Sequence, residues 1–403
     1  MRKRMTKWDL PKRGVVFWPV GNGDSTTIAV DDQTVIQIDI NHVKDAEDPE
    51  DKRVPVIDRL VEVLPTPPKG KPRLAVLGIT HHDTDHCCGF GRLIGEVQVD
   101  EMWLTLRSFV DAKNAKDGDG DELTEAGRDV YNEACRRRDC EIKAMARGER
   151  AAPGDRLRII GYHEVLEDSD WKGFPESLLT IPGNLIPQVN TVDMSDKIEL
   201  FVHTPFRSDT DEGSRNSTSL GLQVTLINGT CRKRFLLLGD LEYQQVEAFF
   251  ERSAKINADR LDWDFLLGPH HGSRNAIRRQ DGEKWADAEA YTYLRDHRAD
   301  GAVVIISSRS FEDITGDDTN PPHKDAREAY ERMVGKSNVW WTADVATGTE
   351  SEPITVIVEE GRCGERITSA GDWVKKMESL QVPTGARIRP GDRRTGTGDR
   401  EFA

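Results

Sequence analysis

Residues 81–86 read His-His-Asp-Thr-Asp-His, placing three imidazoles and two carboxylates within six positions. The run follows Leu74 to Thr80, a nearly continuous apolar stretch that reads as a buried strand. So much polar and ionisable chemistry at a buried strand end is costly unless something neutralises it. A pair of divalent cations does so. On a turn leaving the strand, His81 and Asp83 project to one side, and Asp85 and His86 to the other, so each cation gains part of a shell. The rival reading is a polar surface loop with coincidental histidines.

Two distant segments fit the same chemistry. Leu236 to Gly239 is an apolar strand tip that ends on Asp240. One carboxylate there could bridge two cations, which suits metals about 3.5–4 Å apart. Leu266 to Ser273 ends another strand on Pro269-His270-His271-Gly272-Ser273. Alone, each is weak: a Gly-Asp after a strand is often a turn, and a His-His pair is often surface. Cations so held make water a nucleophile near neutral pH and stabilise charge on a phosphoryl or carbonyl oxygen. Asp85 could orient the attacking water. His270, Ser273 or His323 could contact the leaving group or a phosphate oxygen, and Arg274 beside the histidine pair is the first choice for an anion contact.

The elements that must position these residues are legible from periodicity. Residues 14–30 read as a hairpin around Gly21-Asn22-Gly23-Asp24, and Thr34 to Ile40 as a strand with Asp39 near its end. Residues 53–64 repeat with a helical period, and Val97 to Leu106 is a further strand. Strands are also expected at 198–203, 219–227, 234–239, 263–268, 302–307, 338–342 and 354–358, with helices at 241–254 and 324–334. Residues 107–195 break the pattern. We read them as an insertion, with an exposed loop at 113–121 and a charged helix at 123–150, serving as a lid or a surface for a protein partner. Residues 381–403 are rich in Gly, Arg and Pro and read as a disordered tail, leaving 1–380 as the main domain.

Bulk composition narrows the classes. The 403 residues carry a formal net charge of −15, which argues against a large electrostatic footprint for nucleic acid without excluding a local basic groove. No run approaches the roughly 18 apolar residues of a membrane span, and no apolar segment follows the basic start as in a secretory signal, so the expected location is cytoplasmic. Six cysteines show no C-x-x-C spacing and are expected as free thiols. His42 and His163 are expected in exposed loops, and His297 facing solvent.

The cluster at His81 to His86, the L-L-x-G-D at Asp240 and the P-H-H-G-S at 269–273 resemble the metallo-β-lactamase superfamily, and within it the branch of the hydrolase domain of the competence protein ComEC. Val20 to Asp24, Ile38-Asp39, Asn216 to Leu220 and Asn320 to His323 resemble further elements of that branch. The likeness runs from about Gly14 to Glu359 apart from the insertion. It implies an α/β chain folded as a four-layer αββα sandwich with two mixed sheets. It implies His81 and Asp83 on a first metal, Asp85 and His86 on a second, Asp240 bridging, Asp39 supporting the strand ends, and one of His270 and His271, preferably His271, completing the second metal. The family's third histidine of the first metal has no clear match. His203 and Asn216 lie in the right interval. The carboxylate-rich shell shifts the expected pair of divalent ions from zinc alone toward zinc or manganese. The function implied is a phosphodiesterase or nuclease, with DNA as the analogous substrate. The alternatives are a hydrolase of small esters, lactones or phosphocholine esters, and a binding or regulatory module with structural metals.

Overall fold

Short runs of β-branched and aliphatic residues become strands and sort into two sheets. The computed structural model describes residues 9–117, 122–211, 214–279, 284–314, 319–344, 346–347 and 350–367. The first sheet takes β1 (Gly14–Phe17), β2 (Thr26–Ala29), β3 (Val35–Ile38), β4 (Arg73–Ile79), β5 (Gln98–Thr105), β6 (Arg156–Ile160) and β7 (Leu179–Thr180). The second takes β8 (Ile198–Thr204), β9 (Gly221–Asn228), β10 (Cys231–Leu237), β11 (Trp263–Leu267), β12 (Arg298–Ile306) and β13 (Val339–Trp341). A two-strand ladder, β14 (Ala346–Thr347) with β15 (Glu350–Ser351), precedes β16 (Ile354–Ile357) and β17 (Glu365–Ile367), which return to the first sheet beside β1.

Both sheets are mixed. Pairing is parallel from β3 through β7 and from β10 through β13, and antiparallel elsewhere. Parallel strands deliver all their C-terminal ends to one rim, which is where side chains from distant parts of a sequence can meet.

Alternation along the strands builds the layers. Phe235 and Leu237 of β10, Phe265 and Leu267 of β11, and Val303 and Ile305 of β12 face the space between the sheets, where they meet Phe17, Ile28, Ile36, Val76 and Trp103. Their neighbours Leu236, Leu266, Val304 and Ile306 face outward. The helices are α1 (Val56–Val63), α2 (Thr84–Cys87), α3 (Phe90–Glu96), α4 (Arg107–Asp117), α5 (Glu125–Met145), α6 (Arg207–Asp211), α7 (Tyr243–Ile256), α8 (Glu289–Asp296) and α9 (Lys324–Val334). Ile57 and Leu60 of α1, Phe90 and Leu93 of α3, and Val130 and Ala134 of α5 cover the first sheet. Phe249 and Phe250 of α7, Leu294 of α8, and Tyr330 of α9 cover the second. The result is α/β in four layers, αββα, as expected.

Several expectations change. Residues 113–117, expected as loop, are the last turn of α4, while 118–121 lie outside the described residues. Within 107–195, β6 and β7 extend the first sheet in parallel register, so this segment supplies scaffold as well as decoration. Its helix α5 buttresses the histidine loop: a Cβ on Gly127 would come to 3.0 Å from the His82 carbonyl, so the helix start packs tightly against the loop there. Cys231 and Cys363 form a disulfide, and Cys87, Cys88, Cys135 and Cys140 are free. The expectation of six free thiols is therefore corrected at these two positions. His42 is buried, not exposed: its Nδ1 accepts the Ile57 N–H (3.1 Å) at the start of α1. His297 is half-buried at the end of α8, and His163 is exposed. The expected tail at 381–403 lies outside the described residues. Among the described residues, no helix is long and apolar enough to cross a membrane.

Candidate metal centre

The rim is assembled from the ends of β3, β4, β10 and β11 and from the turn between β1 and β2. Asp39 leaves β3 in a left-handed conformation (φ 55°), which costs free energy for a residue with a Cβ. That conformation turns its carboxylate onto the end of β4. Oδ1 accepts the Thr80 N–H (2.7 Å), and Oδ2 accepts the Thr80 hydroxyl (2.7 Å) and the His86 Nδ1–H (2.8 Å). Burial pushes the Asp39 carboxyl upward, against the pull of His86 and Thr80. At the end of β11, His270 (φ 51°), His271 (φ 52°) and Gly272 (φ 78°) are left-handed in succession. Two non-glycine residues held so are a local strain of the kind that clusters at functional sites. The two rings stand nearly perpendicular, at 83°.

Asp240 lies between two groups of side chains. Its Oδ1 is 3.1 Å from His86 Nε2 and 3.3 Å from His271 Nε2. Its Oδ2 is 3.7 Å from His270 Nε2 and 4.0 Å from His81 Nε2. On the first of these sides, His271 Nε2 also lies 3.3 Å from Asp85 Oδ2, and its Nδ1 lies 3.5 Å from Asp24 Oδ1. On the other, His81 Nε2 lies 3.7 Å from Asp83 Oδ2. Asp24, His86, Asp240 and His271 are all buried, and each offers one ligand atom within 4.8 Å of the others, so this group can hold a metal ion.

The protonation geometry fits a cation better than a proton. His86 donates through Nδ1 to Asp39, and its Nε2 lies 3.1 Å from Asp240 Oδ1, so a proton or a cation on Nε2 must join the two. Burial alone would lower the His86 pKa, but Asp240 and Asp39 hold it well above the usual range. His271 is likewise raised against burial by Asp240, Asp24 and Asp85. Yet the Gly23 N–H points at His271 Nδ1 (3.3 Å), which a doubly protonated ring cannot accept. A cation on Nε2 reconciles the two. The Nε2 atoms of His81, His86 and His271, Nδ1 of His270 and Oδ1 of Asp240 are buried without any hydrogen bond of acceptable geometry, despite the short approaches. Ligand atoms about 2.1 Å from a tetrahedral ion stand roughly 3.4 Å apart, close to the spacing around Oδ1.

His81 is held neutral. Burial, with help from His86, keeps it well below its ordinary pKa. Its Nδ1 meets the hydroxyls of Thr80 and Ser219, both at 3.2 Å. Ser219 also accepts the Asp240 N–H (3.3 Å). Asp240 and Asp85 are both held below the usual carboxylate range: burial opposes this, and His271 and His86 overcome it.

The structure thus brings together His81, Asp83, Asp85, His86, Asp240, His270 and His271, with Asp39 behind them. It does not bring in His203, which lies beneath α7 between Phe201 and Phe249, its Nδ1 3.3 Å from the Ser253 hydroxyl. His323 is also turned away. Its Nδ1 accepts the Arg274 N–H (3.2 Å) and its Nε2 meets the Thr319 carbonyl (2.9 Å), so both ring nitrogens are used in holding the loop before α9. Ser273 is buried and accepts the Asn275 N–H (3.2 Å), a local cap with no reach into the site. Asn216 contributes its carbonyl to the Ser219 N–H, a backbone contact only. Arg274 is half-buried beside the histidines.

Sequence reading missed Asp24, Ser219, Thr80 and Arg215. Arg215 donates from Nη1 to Asp83 Oδ1 (3.1 Å). Asp24 and Ser219 sat inside segments already singled out, the glycine-rich turn and the Asn216 to Leu220 stretch. Their small polar side chains gave no separate signal.

No family model and no curated protein matches the chain. Among solved structures, it is similar to the metallo-β-lactamase GOB-18 of Elizabethkingia meningoseptica, at 12% identity and a TM-score of 0.33, over 73% of this chain and 93% of that one. So loose a likeness fixes no residue of the site.

Proposed function

We propose that the chain is a metal-dependent hydrolase of the metallo-β-lactamase type that holds two divalent cations, zinc or manganese, and cleaves phosphodiesters as a phosphodiesterase or nuclease. The observation that carries the reading is Asp240, whose two carboxylate oxygens face two different sets of imidazoles. His81, Asp83 and His270 would hold the cation on the Oδ2 side, and Asp85, His86, His271 and Asp24 the one on the Oδ1 side. His270 then takes the place that the sequence left without a histidine. Such cations, when bound, lower the pKa of water and neutralise charge on a phosphoryl oxygen.

The chain's own residues do the rest. Asp39 and Thr80 fix the tautomer and direction of His86, as carboxylate partners of ligating histidines do. Asp85, the most open carboxylate of the group at 40% exposure, is placed to orient water entering from solvent. The DNA preference rests on the resemblance to the ComEC hydrolase domain and is analogy.

A second reading has its own observation. A cavity of about 720 Å³ begins at Gly21 and Asn22, in the turn that carries Asp24. Its carboxylates outnumber its cations: Arg53 is engaged by Asp51 (2.7 Å), and Glu312, Asp313 and Asp344 line the same space. That favours a small ester with a neutral or cationic group over a polyanion. Metal-loaded protein assayed on single-stranded DNA, on a small phosphodiester and on carboxylic and phosphocholine esters separates the two. Cleavage of DNA or the small phosphodiester with Mn²⁺, lost in Asp240→Ala, supports the first reading. Turnover of esters alone supports the second, and bound metal without turnover supports a non-catalytic module.

A further inference from the structure

We infer that Arg215 is the residue that receives the anionic oxygen of the substrate, on the Asp83 side of the site. The inference rests on the phosphodiester reading above.

Arg215 precedes the short turn Asn216–Thr218, so the segment that supports His81 through Ser219 also delivers this guanidinium. Two carboxylates fix its plane. Nη1 donates to Asp83 Oδ1 (3.1 Å) and Nε donates to Asp111 Oδ2 (3.1 Å). Asp111, on α4, is buried and also takes Arg107 Nε at 2.8 Å and His82 Nε2 at 3.1 Å. Arg215 Nη2 has no partner among the described residues, and the side chain is 23% exposed, so one edge of the fork is open to solvent at the rim.

Charge counting says what that edge is for. Arg107 already balances Asp111. A cation between His81 and Asp83 would balance Asp83. The positive charge of Arg215 is then in excess, one carboxylate away from His81, on a side chain whose rotamers are already fixed. With Nε and an Nη1 N–H already engaged, a guanidinium held in this way has its Nη2 N–H bonds left to donate to an anionic phosphoryl oxygen. Fixing the fork in advance reduces the ordering cost that binding would otherwise carry.

The test is binding of inorganic phosphate to metal-loaded protein by isothermal titration calorimetry at low salt, with metal content measured on the same samples. Arg215→Ala is expected to weaken phosphate at least tenfold while keeping the wild-type metal content. Arg215→Lys should recover part of the loss, since it keeps the charge and loses the plane. If Arg215→Ala binds phosphate like the wild type, the inference is overturned and the hydrolase reading stands. It is equally overturned if Arg215→Ala loses a cation, because Arg215 then serves to position Asp83. A wild-type protein with two cations that neither binds phosphate nor cleaves any phosphodiester removes the underlying reading and this inference with it. If Arg215→Ala fails to fold by circular dichroism, Arg215→Gln and Arg215→Lys carry the same comparison.

Discussion

The two sides of Asp240 are built differently. Around Oδ1 the ligand atoms crowd to 3.1–3.3 Å, and each ring is fixed from behind, His86 by Asp39 and His271 by the Gly23 N–H. Around Oδ2 they stand off at 3.7–4.0 Å. There His270 is 20% exposed with its Nδ1 unpartnered, and Asp83 is 30% exposed and shared with Arg215. A preorganised group binds a cation without first having to order its ligands, and a looser one must order them on binding. One side of the centre is therefore a rigid socket and the other an adjustable one, next to the residue we assign to the substrate.

The largest expected effect removes the element common to both. Asp240→Ala should release both cations and lower phosphodiester turnover by at least the roughly 10²–10³-fold that follows loss of one preorganised charge-stabilising group. Metal analysis and kinetics on one preparation check it. A variant that still holds two metals would show that Asp240 does not join the two sides.

Next come the neighbouring histidines. His271→Ala should abolish the tighter of two metal-binding phases in a chelator competition, and His270→Ala the weaker, with each variant keeping about one cation per chain. The phases should differ by at least about tenfold, or 1.4 kcal/mol. Equal affinities, or a His270→Ala protein with both phases intact, would undo the contrast between socket and adjustable site. Smaller again is the effect of the supports. Asp39→Asn should weaken the Oδ1-side cation by about 10–100-fold, the usual consequence of removing a carboxylate behind a ligating histidine. Thr80→Val should weaken both sides to a lesser degree, because its hydroxyl lies 3.2 Å from His81 Nδ1 and 3.3 Å from His86 Nδ1. The same metal titration reads both variants.

The tight side was the more legible in the sequence, and the reason is physical. Asp85, His86, Asp240 and His271 all lie within a few residues of the end of an apolar run, and a buried strand ending in ionisable groups is a local signal. The strands came from the same runs, and the four-layer architecture from the resemblance that the motifs carry. Asp24 escaped because its contribution depends on a turn closing over Asp85 from another part of the sheet: the Asp24 N–H donates to the Asp85 carbonyl (3.2 Å). Arg215 escaped because one arginine in a polar stretch looks like any solvated arginine until Asp83 and Asp111 converge on it. The last turn of α4, residues 113–117, is polar and read as loop, and β6 and β7 are short strands that the rest of the sheet recruits. The disulfide joins residues 132 positions apart, beyond any local pattern.

His203 is the sharpest disagreement between spacing and structure, and it bears on the looser side, where the sequence had offered it as the missing ligand. Burial pushes its pKa down to about 3 from an ordinary 6.5, so the folded protein keeps the ring neutral. In the unfolded chain the same ring takes up a proton below about pH 6.5. The unfolded state therefore binds more protons between those values, and stability falls as the pH drops through that window. At about 1.4 kcal/mol for each pKa unit, the contribution is on the order of a few kcal/mol by pH 4. Phe is close in shape and suits contacts with Phe201 and Phe249, so His203→Phe should unfold less readily at pH 4–5 relative to its own stability at pH 7.5. It should also leave the metal content unchanged. Urea denaturation at the two pH values and metal analysis read these separately. Loss of one cation in His203→Phe would return this histidine to the Oδ2 side and displace His270 from it.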